Sequence, residues 1–282
     1  MKTSEKLPVW VTGAIVAGTF GALLVFELCR PLRRAGNRES KINRDARNFA
    51  FAGIAAITVA ATETPLAAAL TNLVERKQIG IVKIIRLPAW AETMLACLLM
   101  DYAFYLWHVA THKVPFLWRF HLAHHVDLEM DASTAFRFHF GELLLSNVFR
   151  TIQILSIGVS PLAFSIWQTF MLPEILFHHS NVRLPEKAEK YLSAFLVTPK
   201  MHDIHHRAAL DKTDSNWSSG FSFWDRLHKT GRADFAIDVE PIGVAAFQDR
   251  AELKFQHVLR LPFEKQKPSW EVLPTQNIEE RN

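Results

Sequence analysis

The feature that most constrains this chain is a run of 20 residues near its start, residues 7–26, that contains no charged side chain. As a helix with a rise of about 1.5 Å per residue, this run spans about 30 Å, the thickness of a hydrocarbon core. Arg30, Arg33, Arg34 and Arg38 follow it. This flank is typical of a retained membrane anchor rather than a cleaved signal peptide. Composition agrees, since 49% of the residues are hydrophobic and only 21% are charged.

The loop after this run carries most of the positive charge. Residues 30–47 hold seven Lys or Arg against two acids, whereas Lys2 and Lys6 are the only basic side chains before the run. Cytoplasmic loops are the ones enriched in Lys and Arg, so we predict a cytoplasmic loop and an external N-terminus. The net charge of +4 is concentrated in this loop, and it therefore gives no ground for a nucleic-acid partner.

Two more apolar stretches follow. Residues 49–73 are rich in Ala but are interrupted by Glu63 and Pro65, a pattern that predicts either a kinked span or a half-span near the surface. Residues 87–107 form a third candidate span with two acids inside it. Because a charge at mid-bilayer costs about 3 kcal/mol, those acids must face protein or lie near an end.

The next apolar segment is divided. Residues 151–173 carry no charge, but Gly158 and Pro161 interrupt them, and with residues 141–150 they predict a helical hairpin that enters the membrane and returns. Counting spans from an external N-terminus, all histidine-rich segments lie on the cytoplasmic face.

These patterns predict an all-α integral membrane protein with about four to five membrane helices and a cytoplasmic helical cap that holds a histidine-rich dinuclear metal site. We divide it into an N-terminal membrane region (1–86), a catalytic domain (87–230) and a charged C-terminal tail (231–282). The two cysteines, Cys29 and Cys97, lie in apolar stretches and support neither a disulfide framework nor a cysteine metal site.

Histidine is the unusual residue, with 13 in the chain. Eleven of them fall in five groups: His108 and His112; His121, His124 and His125; His139; His178 and His179; and His202, His205 and His206. On a helix, residues at i, i+3 and i+4 share one face, so each H-x-x-H-H box projects its rings together, as chelation requires. Single residues such as His228 and His257 are more typical of surface or hydrogen-bonded histidines.

The number of imidazoles indicates the kind of metal site. Eight to ten histidines are too many for one tetrahedral zinc and fit two metals in one cage. The Glu-x-x-His pairs of ferritin-like proteins and the H-E-x-x-H of zinc proteases do not occur. A dinuclear, all-histidine iron site accounts for every box. Two alternatives stay open, a membrane zinc transporter or sensor and a dinuclear zinc hydrolase.

The order of these boxes resembles the fatty acid hydroxylase and sterol desaturase superfamily of membrane di-iron oxygenases. Asp101, Tyr105 and His108 resemble its D-x3-Y-x2-H entry to the first box, TPKMHDIHH resembles the approach to the last box, and SFWDRLHKT resembles the closing W-D-R-x-x-G-T element. The similarity covers about residues 87–230. The connection after the second box is similar to that of bacterial members, so we expect a bacterial inner membrane.

The resemblance implies a ligand set, two iron ions, and O2 as co-substrate for hydroxylation or desaturation of a membrane lipid. The implied ligands are His108, His112, His121, His124, His125, His179, His202, His205 and His206, with His139 as a tenth. His178 stands where the family often has Gln and is left out. No HPGG haem motif occurs, so the electrons must come from an external donor, such as a cytochrome b5-like protein or a ferredoxin with its reductase.

Other side chains are candidates to support the metal ligands. A bound imidazole usually donates its second N–H to a carboxylate or carbonyl, which makes Asp101, Asp203, Glu142 and Asn181 candidates. Each of them fits a helix cap or salt bridge equally well. Tyr105 is included with Asp101 and Asn181 among the candidate catalytic residues, although tyrosines near a membrane boundary are more typical interface anchors.

Overall fold

The computed structural model describes residues 6–33, 40–232 and 241–271. Within these ranges the regular elements are helices, and strand-like pairing is confined to three isolated bridges, so the predicted all-α class is confirmed there. Lys2, Arg34 and Arg38 lie outside the described residues, as do parts of the predicted tail, residues 233–240 and 272–282.

Thirteen α-helices are described in these ranges. They are α1 (Val9–Cys29), α2 (Lys41–Thr58), α3 (Thr64–Lys77), α4 (Ile81–Ile84), α5 (Ala89–Lys113), α6 (Pro115–His125), α7 (Phe140–Ile157), α8 (Pro161–His179), α9 (Glu186–Leu192), α10 (Pro199–His205), α11 (Leu210–Thr213), α12 (Phe223–His228) and α13 (Phe255–Arg260). A π-helical turn joins α2 to α3 (Val59–Glu63), and short 3-10 turns occupy Ala132–Phe136, Ala245–Phe247, Arg250–Leu253 and Leu261–Phe263.

Three helical runs of the described chain are long and apolar enough to cross a membrane: Val9–Cys29, Lys41–Ile84 and Ala89–Lys113. They correspond to the three stretches predicted first. The second run is helical through the predicted interruption, because a π-helical turn stands directly before Pro65, whose ring does not fit an uninterrupted α-helix. A total of four to five spans stays a prediction.

The predicted hairpin divides at Gly158, where α7 ends in the left-handed conformation with φ of +89°. Gly80 approaches it closely, since a Cβ on Gly80 would lie 2.2 Å from the Gly158 Cα. Glycine is therefore required at both positions. Helix α8 starts at Pro161, and the Ser160 hydroxyl accepts a hydrogen bond from the Ala163 N–H at 3.2 Å.

A buried ionic network joins α2 to the segment after α6. Arg44 donates to Asp127 at 3.0 Å, to Asp131 at 2.5 Å and to the Thr134 hydroxyl at 2.7 Å. Burial alone would raise the pKa of Asp127, but Arg44, Arg137 and Arg47 outweigh it and hold that pKa below its usual value. The network fixes the basic loop end of α2 against the histidine-bearing helices.

The C-terminal segment 241–271 is packed rather than detached. Phe247 and Val258 share a core cluster with Phe51 and Leu122. The Trp118 indole donates to the Ser269 hydroxyl at 3.1 Å. The described part of the predicted tail therefore covers α6, which carries the second histidine box.

Candidate metal centre

Four helices bring their histidines together at one end of the molecule. Helix α5 carries His108 and His112 near its C-terminus, and Pro115 starts α6 two residues after α5 ends, so the two boxes face each other. Helix α8 ends at His179, and α10 starts at Pro199 behind an N-cap threonine, Thr198. Proline at the first helical position and Thr as N-cap are favoured helix starts.

The imidazoles form two groups whose ligand atoms lie within 4.8 Å of one another. The first group is His108, His112, His125 and His205, and the second is His124, His179, His202 and His206. Neighbours in sequence therefore belong to different groups. These eight residues, together with His121 and His178 described below, are called the histidine cage.

The ring nitrogens of the second group approach each other as closely as metal ligands do. His179 Nε2 lies 2.9 Å from His124 Nε2 and 3.1 Å from His202 Nε2, and His206 Nε2 lies 3.1 Å from His202 Nε2. Two nitrogens bound at about 2.1 Å to one metal, at right angles, stand about 3 Å apart. The spacing therefore fits a shared metal ion.

Several nitrogens of the histidine cage have no protein partner. The buried, unpaired ring atoms include His112 Nε2, His121 Nε2, His205 Nε2 and both nitrogens of His125. Buried polar atoms are normally hydrogen-bonded, so a cluster of unpaired ones indicates an absent ligand or ion. Neutral imidazole nitrogens suit iron, zinc, copper or nickel.

Burial keeps these imidazoles neutral, which is the form that binds metal. Burial and the neighbouring imidazoles hold the pKa of His125, His202 and His206 well below the ordinary value of 6.5. Burial also lowers the pKa of His205 to about 3. Protons therefore do not compete with a metal at neutral pH.

Main-chain carbonyls of a single loop orient three of the rings. A segment that we call the carbonyl loop, residues 214–222, accepts His205 Nδ1–H at Ser215 (2.8 Å), His108 Nδ1–H at Trp217 (2.7 Å) and His178 Nδ1–H at Ser219 (3.0 Å). Because a carbonyl only accepts, each Nδ1 carries the proton and each Nε2 keeps an unprotonated lone pair that can bind a metal. Sequence analysis missed this loop.

Two carboxylates fasten the carbonyl loop. Asp225 accepts the backbone N–H groups of Trp217 (2.9 Å) and Ser218 (3.0 Å). Asp101 accepts the Phe221 N–H at 3.1 Å and the Trp224 indole N–H at 2.7 Å. Asp101, predicted to receive an imidazole N–H, thus supports the carbonyls that do so.

Tyr105 and Asn181 also lie one step outside the histidine cage. The Tyr105 hydroxyl pairs with the Thr230 hydroxyl at 3.1 Å. Asn181 accepts the Arg33 N–H at 2.7 Å and donates to the Arg33 carbonyl at 3.0 Å, so it holds the chain that follows α1. Asp203 is engaged by the guanidinium groups of Arg33 and Arg207. None of their described hydrogen bonds reaches an imidazole.

Glu142 does meet a predicted ligand. Its carboxylate lies 2.9 Å from His121 Nδ1, and both side chains are buried. The His121 ring lies between the two groups, with its centroid 4.9 Å from that of His125 and 5.2 Å from that of His124. His121 is therefore placed to serve either group.

The surroundings of two further histidines bear on the predicted ligand set, which stays a prediction. His178 was left out because of the family pattern; its buried ring lies with its centroid 4.1 Å from that of His202, tilted by 55°, and its Nδ1 is held by the carbonyl loop. His139 was predicted as a tenth ligand, yet it lies outside both groups: its Nδ1 accepts the Gly141 N–H at 3.0 Å and caps α7, while its Nε2 bonds the Leu259 carbonyl at 3.0 Å. A histidine with both nitrogens occupied has no lone pair for a metal.

The single histidine at position 228 behaves as the sequence predicted. Its Nε2 lies 3.0 Å from the Tyr102 hydroxyl, and its ring stacks on Tyr105 at 5.0 Å. It takes no part in the histidine cage.

An apolar cavity of about 620 Å³ opens onto the histidine cage. His108, His124 and His179 line one part of it, and its walls are largely apolar side chains from α1, α2, α5, α7 and α8. Enclosed apolar cavities with a few polar groups are typical binding sites for small hydrophobic molecules.

Residues 93–230 match the family model described as fatty acid hydroxylase. Among curated proteins, the chain is 29% identical to a cholesterol 25-hydroxylase-like protein of Danio rerio over 49% of this chain and 54% of the relative. It is 27% identical to ornithine lipid hydroxylase OlsE of Rhizobium tropici over 50% of this chain and 41% of the relative, and 26% identical to alkylglycerol monooxygenase of Homo sapiens over 48% and 29%.

The aligned region thus spans about half or less of the length of these curated relatives. No solved structure matches the chain significantly. The family match begins in α5 and ends after α12, and so it encloses every histidine of the cage and the whole carbonyl loop. The chain therefore carries a fatty acid hydroxylase domain over residues 93–230.

Proposed function

We propose that this chain is an O2-dependent membrane lipid hydroxylase with a dinuclear non-haem iron site in the histidine cage. The observation that carries the proposal is the pair of adjacent four-histidine groups, buried except for the partly exposed His112, beside an apolar cavity within a fatty acid hydroxylase domain. Hydroxylation is favoured over desaturation because the similar proteins are named as hydroxylases and a monooxygenase.

Each four-histidine group would hold one iron. The first is formed by His108, His112, His125 and His205, the second by His124, His179, His202 and His206, with His121 and His178 as further donors. Bound ferrous iron supplies the reducing chemistry that activates O2 toward an unactivated C–H bond. In the net reaction one oxygen atom enters the C–H bond, and the other leaves as water with two electrons from the donor and two protons.

The protein's own residues orient the ligands and exclude water. The carbonyls of Ser215, Trp217 and Ser219 fix three imidazole tautomers, and Glu142 fixes His121. Such partners of bound imidazoles raise ligand basicity and hold ring orientation. The apolar cavity seats the lipid with a C–H bond facing the cage.

We place the histidine cage on the cytoplasmic side of a bacterial inner membrane. The basic loop and the cage share one side, since Arg33 donates to Asp203 at 2.8 Å and Lys41 to Asp131 at 2.7 Å. Basic loops are cytoplasmic. An external donor, a cytochrome b5-like protein or a ferredoxin with its reductase, would therefore reach the cage from the cytoplasm.

The zinc hypotheses are not favoured. A transporter needs ionisable ligands along its path through the membrane. Of the acids available for this, Glu63 faces Arg150 at 3.5 Å and Glu92 faces Lys83 at 2.7 Å. A zinc hydrolase would not account for the similarity to proteins named as hydroxylases and a monooxygenase.

The test is metal content together with O2 uptake. Protein from iron-57-grown cells, purified anaerobically in nanodiscs, is expected to hold about two iron per chain in a coupled state visible by Mössbauer spectroscopy. With a chemical reductant and a lipid extract it should consume O2 and yield hydroxylated lipid. Zinc alone, with O2-independent hydrolysis of a lipid ester, would move the assignment to a hydrolase.

A further inference from the structure

The cavity contains a buried pair of opposite charges at a distance from the histidine cage. Arg150 on α7 places its Nε 3.5 Å from a carboxylate oxygen of Glu63, and the two side chains are 6% and 9% exposed. Both residues line the same cavity as the cage histidines. Charged side chains within membrane-spanning segments are costly and usually mark a functional site.

The ion pair between Arg150 and Glu63 leaves a buried hydrogen-bond donor without a partner. The Arg150 Nε has no hydrogen-bond partner among the described residues, although another guanidinium nitrogen donates to Gln153 and the group lies over the Trp167 ring at 4.6 Å. A purely structural ion pair is expected to use its buried donors fully. Glu63 ends the π-helical turn, a distortion that often occurs at functional sites.

Two helices give the distance between the pair and the cage. Glu142, which holds His121, and Arg150 are eight residues apart on α7, which corresponds to about 12 Å along the helix axis. Gln153 donates to the carbonyl of Met100, and Met100 precedes His108 by eight residues on α5, again about 12 Å. The charged pair and the cage therefore line the same cavity about two helical turns apart.

The rest of the lining is largely apolar, with Thr12, Ser146 and Gln168 among its few uncharged polar side chains. It includes Ala56, Val59, Leu143 and Phe149. A ligand that fills the cavity must therefore be an amphiphile with an apolar body and one compact polar group, and the charged pair is the place for that group.

The opposite charges of Arg150 and Glu63 determine which polar group of a ligand can bind between them. Arg150 offers a donor and Glu63 an acceptor, so a hydroxyl can satisfy both at once. A carboxylate at this position would meet the like charge of Glu63, and an ammonium would meet Arg150.

We propose that Arg150 and Glu63 bind the uncharged hydroxyl group of a lipid alcohol, and that α7 thereby sets the oxidised carbon about 12 Å from that hydroxyl. The statement about the oxidised carbon rests on the proposed hydroxylase function. The statement about hydroxyl binding does not, because it concerns the cavity alone.

Binding of matched twelve-carbon probes tests the proposal without turnover. Protein in nanodiscs is loaded with tritiated 1-dodecanol and challenged with unlabelled 1-dodecanol or dodecanoate, with empty nanodiscs as background. The wild-type protein should bind the alcohol about tenfold more tightly than the acid. Equal affinity, or preference for dodecanoate, would overturn the proposal.

The Glu63→Gln variant should change which of the two probes is preferred. The substitution keeps the volume but leaves Arg150 unbalanced, so preference should reverse toward dodecanoate by about tenfold. Arg150→Lys keeps the charge and the fold but lacks the guanidinium fork, and alcohol affinity should fall while the alcohol stays preferred. Glu264→Gln, at an exposed position, is the matched control and should behave as wild type. An unchanged preference in Glu63→Gln would contradict the assignment.

The readouts separate the two proposals. Alcohol preference without O2 uptake would retain the hydroxyl site and reject the hydroxylase. Where turnover occurs, mass spectrometry of the product locates the new oxygen, and oxidation next to the original hydroxyl would refute the orientation.

Discussion

The imidazole of His108 donates its Nδ1–H to the main-chain carbonyl of Trp217 at 2.7 Å. The two residues lie on α5 and on the carbonyl loop, and so the loop controls which nitrogen the ring presents to the cage. Metal affinity should therefore depend on residues that never touch a metal.

Asp225→Asn tests this dependence. Asn keeps the shape but replaces one accepting oxygen with an N–H2 group, so a backbone N–H of Trp217 or Ser218 loses its partner. We expect the free energy of unfolding to fall by about 1–3 kcal/mol and iron affinity to fall about 10- to 100-fold, measured by chelator competition. Asp211→Asn removes a carboxylate from an exposed pair with Arg232 and should leave iron affinity unchanged. Equal iron affinity in both variants would show that the loop does not position the ligands.

Gly220→Ala acts on the same loop by crowding. A Cβ at Gly220 would lie 2.2 Å from Asp101 Oδ1 and 2.7 Å from Glu174 Oε2, so the loop must shift, at a cost of about 1–3 kcal/mol. Iron content per chain should drop. Gly231→Ala is the control, because its Cβ would meet Asp225 at an ordinary 3.5 Å. If the Gly220 variant retained full iron and stability, Asp101 would have no supporting role.

His125→Ala removes a ligand from the first group without altering a membrane run. Iron content should fall from about two per chain to one or less, and hydroxylation should cease, while membrane insertion persists. Elemental analysis of nanodisc-embedded protein measures this. His257→Ala serves as control and should keep full metal content, and full activity in His125→Ala would remove His125 from the ligand set.

His139→Ala should separate stability from metal binding. It deletes the cap of α7 and the bond to the Leu259 carbonyl, each worth about 1 kcal/mol, so the melting temperature should fall by several degrees. Iron content should stay at about two per chain. Loss of iron would restore His139 as a ligand.

The metal-free protein should lose stability in mild acid. In the folded protein burial lowers the pKa of His205 to about 3, whereas an unfolded histidine titrates near 6.5. The unfolded state therefore binds more protons below about pH 6.5, and stability falls by up to about 1.4 kcal/mol per pH unit for each such histidine. Unfolding curves between about pH 7.5 and pH 5.5 measure the slope. His205→Gln should reduce the slope by about one proton, and a pH-independent wild type would contradict the predicted burial effect.

The histidine boxes could be predicted because the sequence shows both the residue type and the i, i+3, i+4 spacing that places side chains on one face of a helix. His121, His124 and His125 share one face of α6 wherever that helix packs. The carbonyl loop could not be predicted, because its acceptors are main-chain atoms that any residue type would provide. Asp225, whose carboxylate holds this loop, lies in the closing motif SFWDRLHKT, but the motif alone did not indicate what the carboxylate binds.

The same limit applies to the two histidines whose surroundings the sequence did not indicate. His139 and His178 both neighbour aromatic residues and other boxes in the sequence, and only the fold decides which ring has a free nitrogen. Glu63 was noted as an interruption of a span, but its pairing with Arg150 joins residues 87 positions apart and left no local pattern.

Adjacent histidines of α6 and α10 serve different groups: His124 belongs to the second and His125 to the first, and His205 and His206 divide in the same way. Adjacent residues are fixed to one backbone, so a single placement of each helix end positions one ring of each group at the same time. The two groups are in this sense coupled through the same helix ends. Loading of the first should preorganise the second, and the apo-to-holo transition should be cooperative, with the singly loaded species scarcely populated.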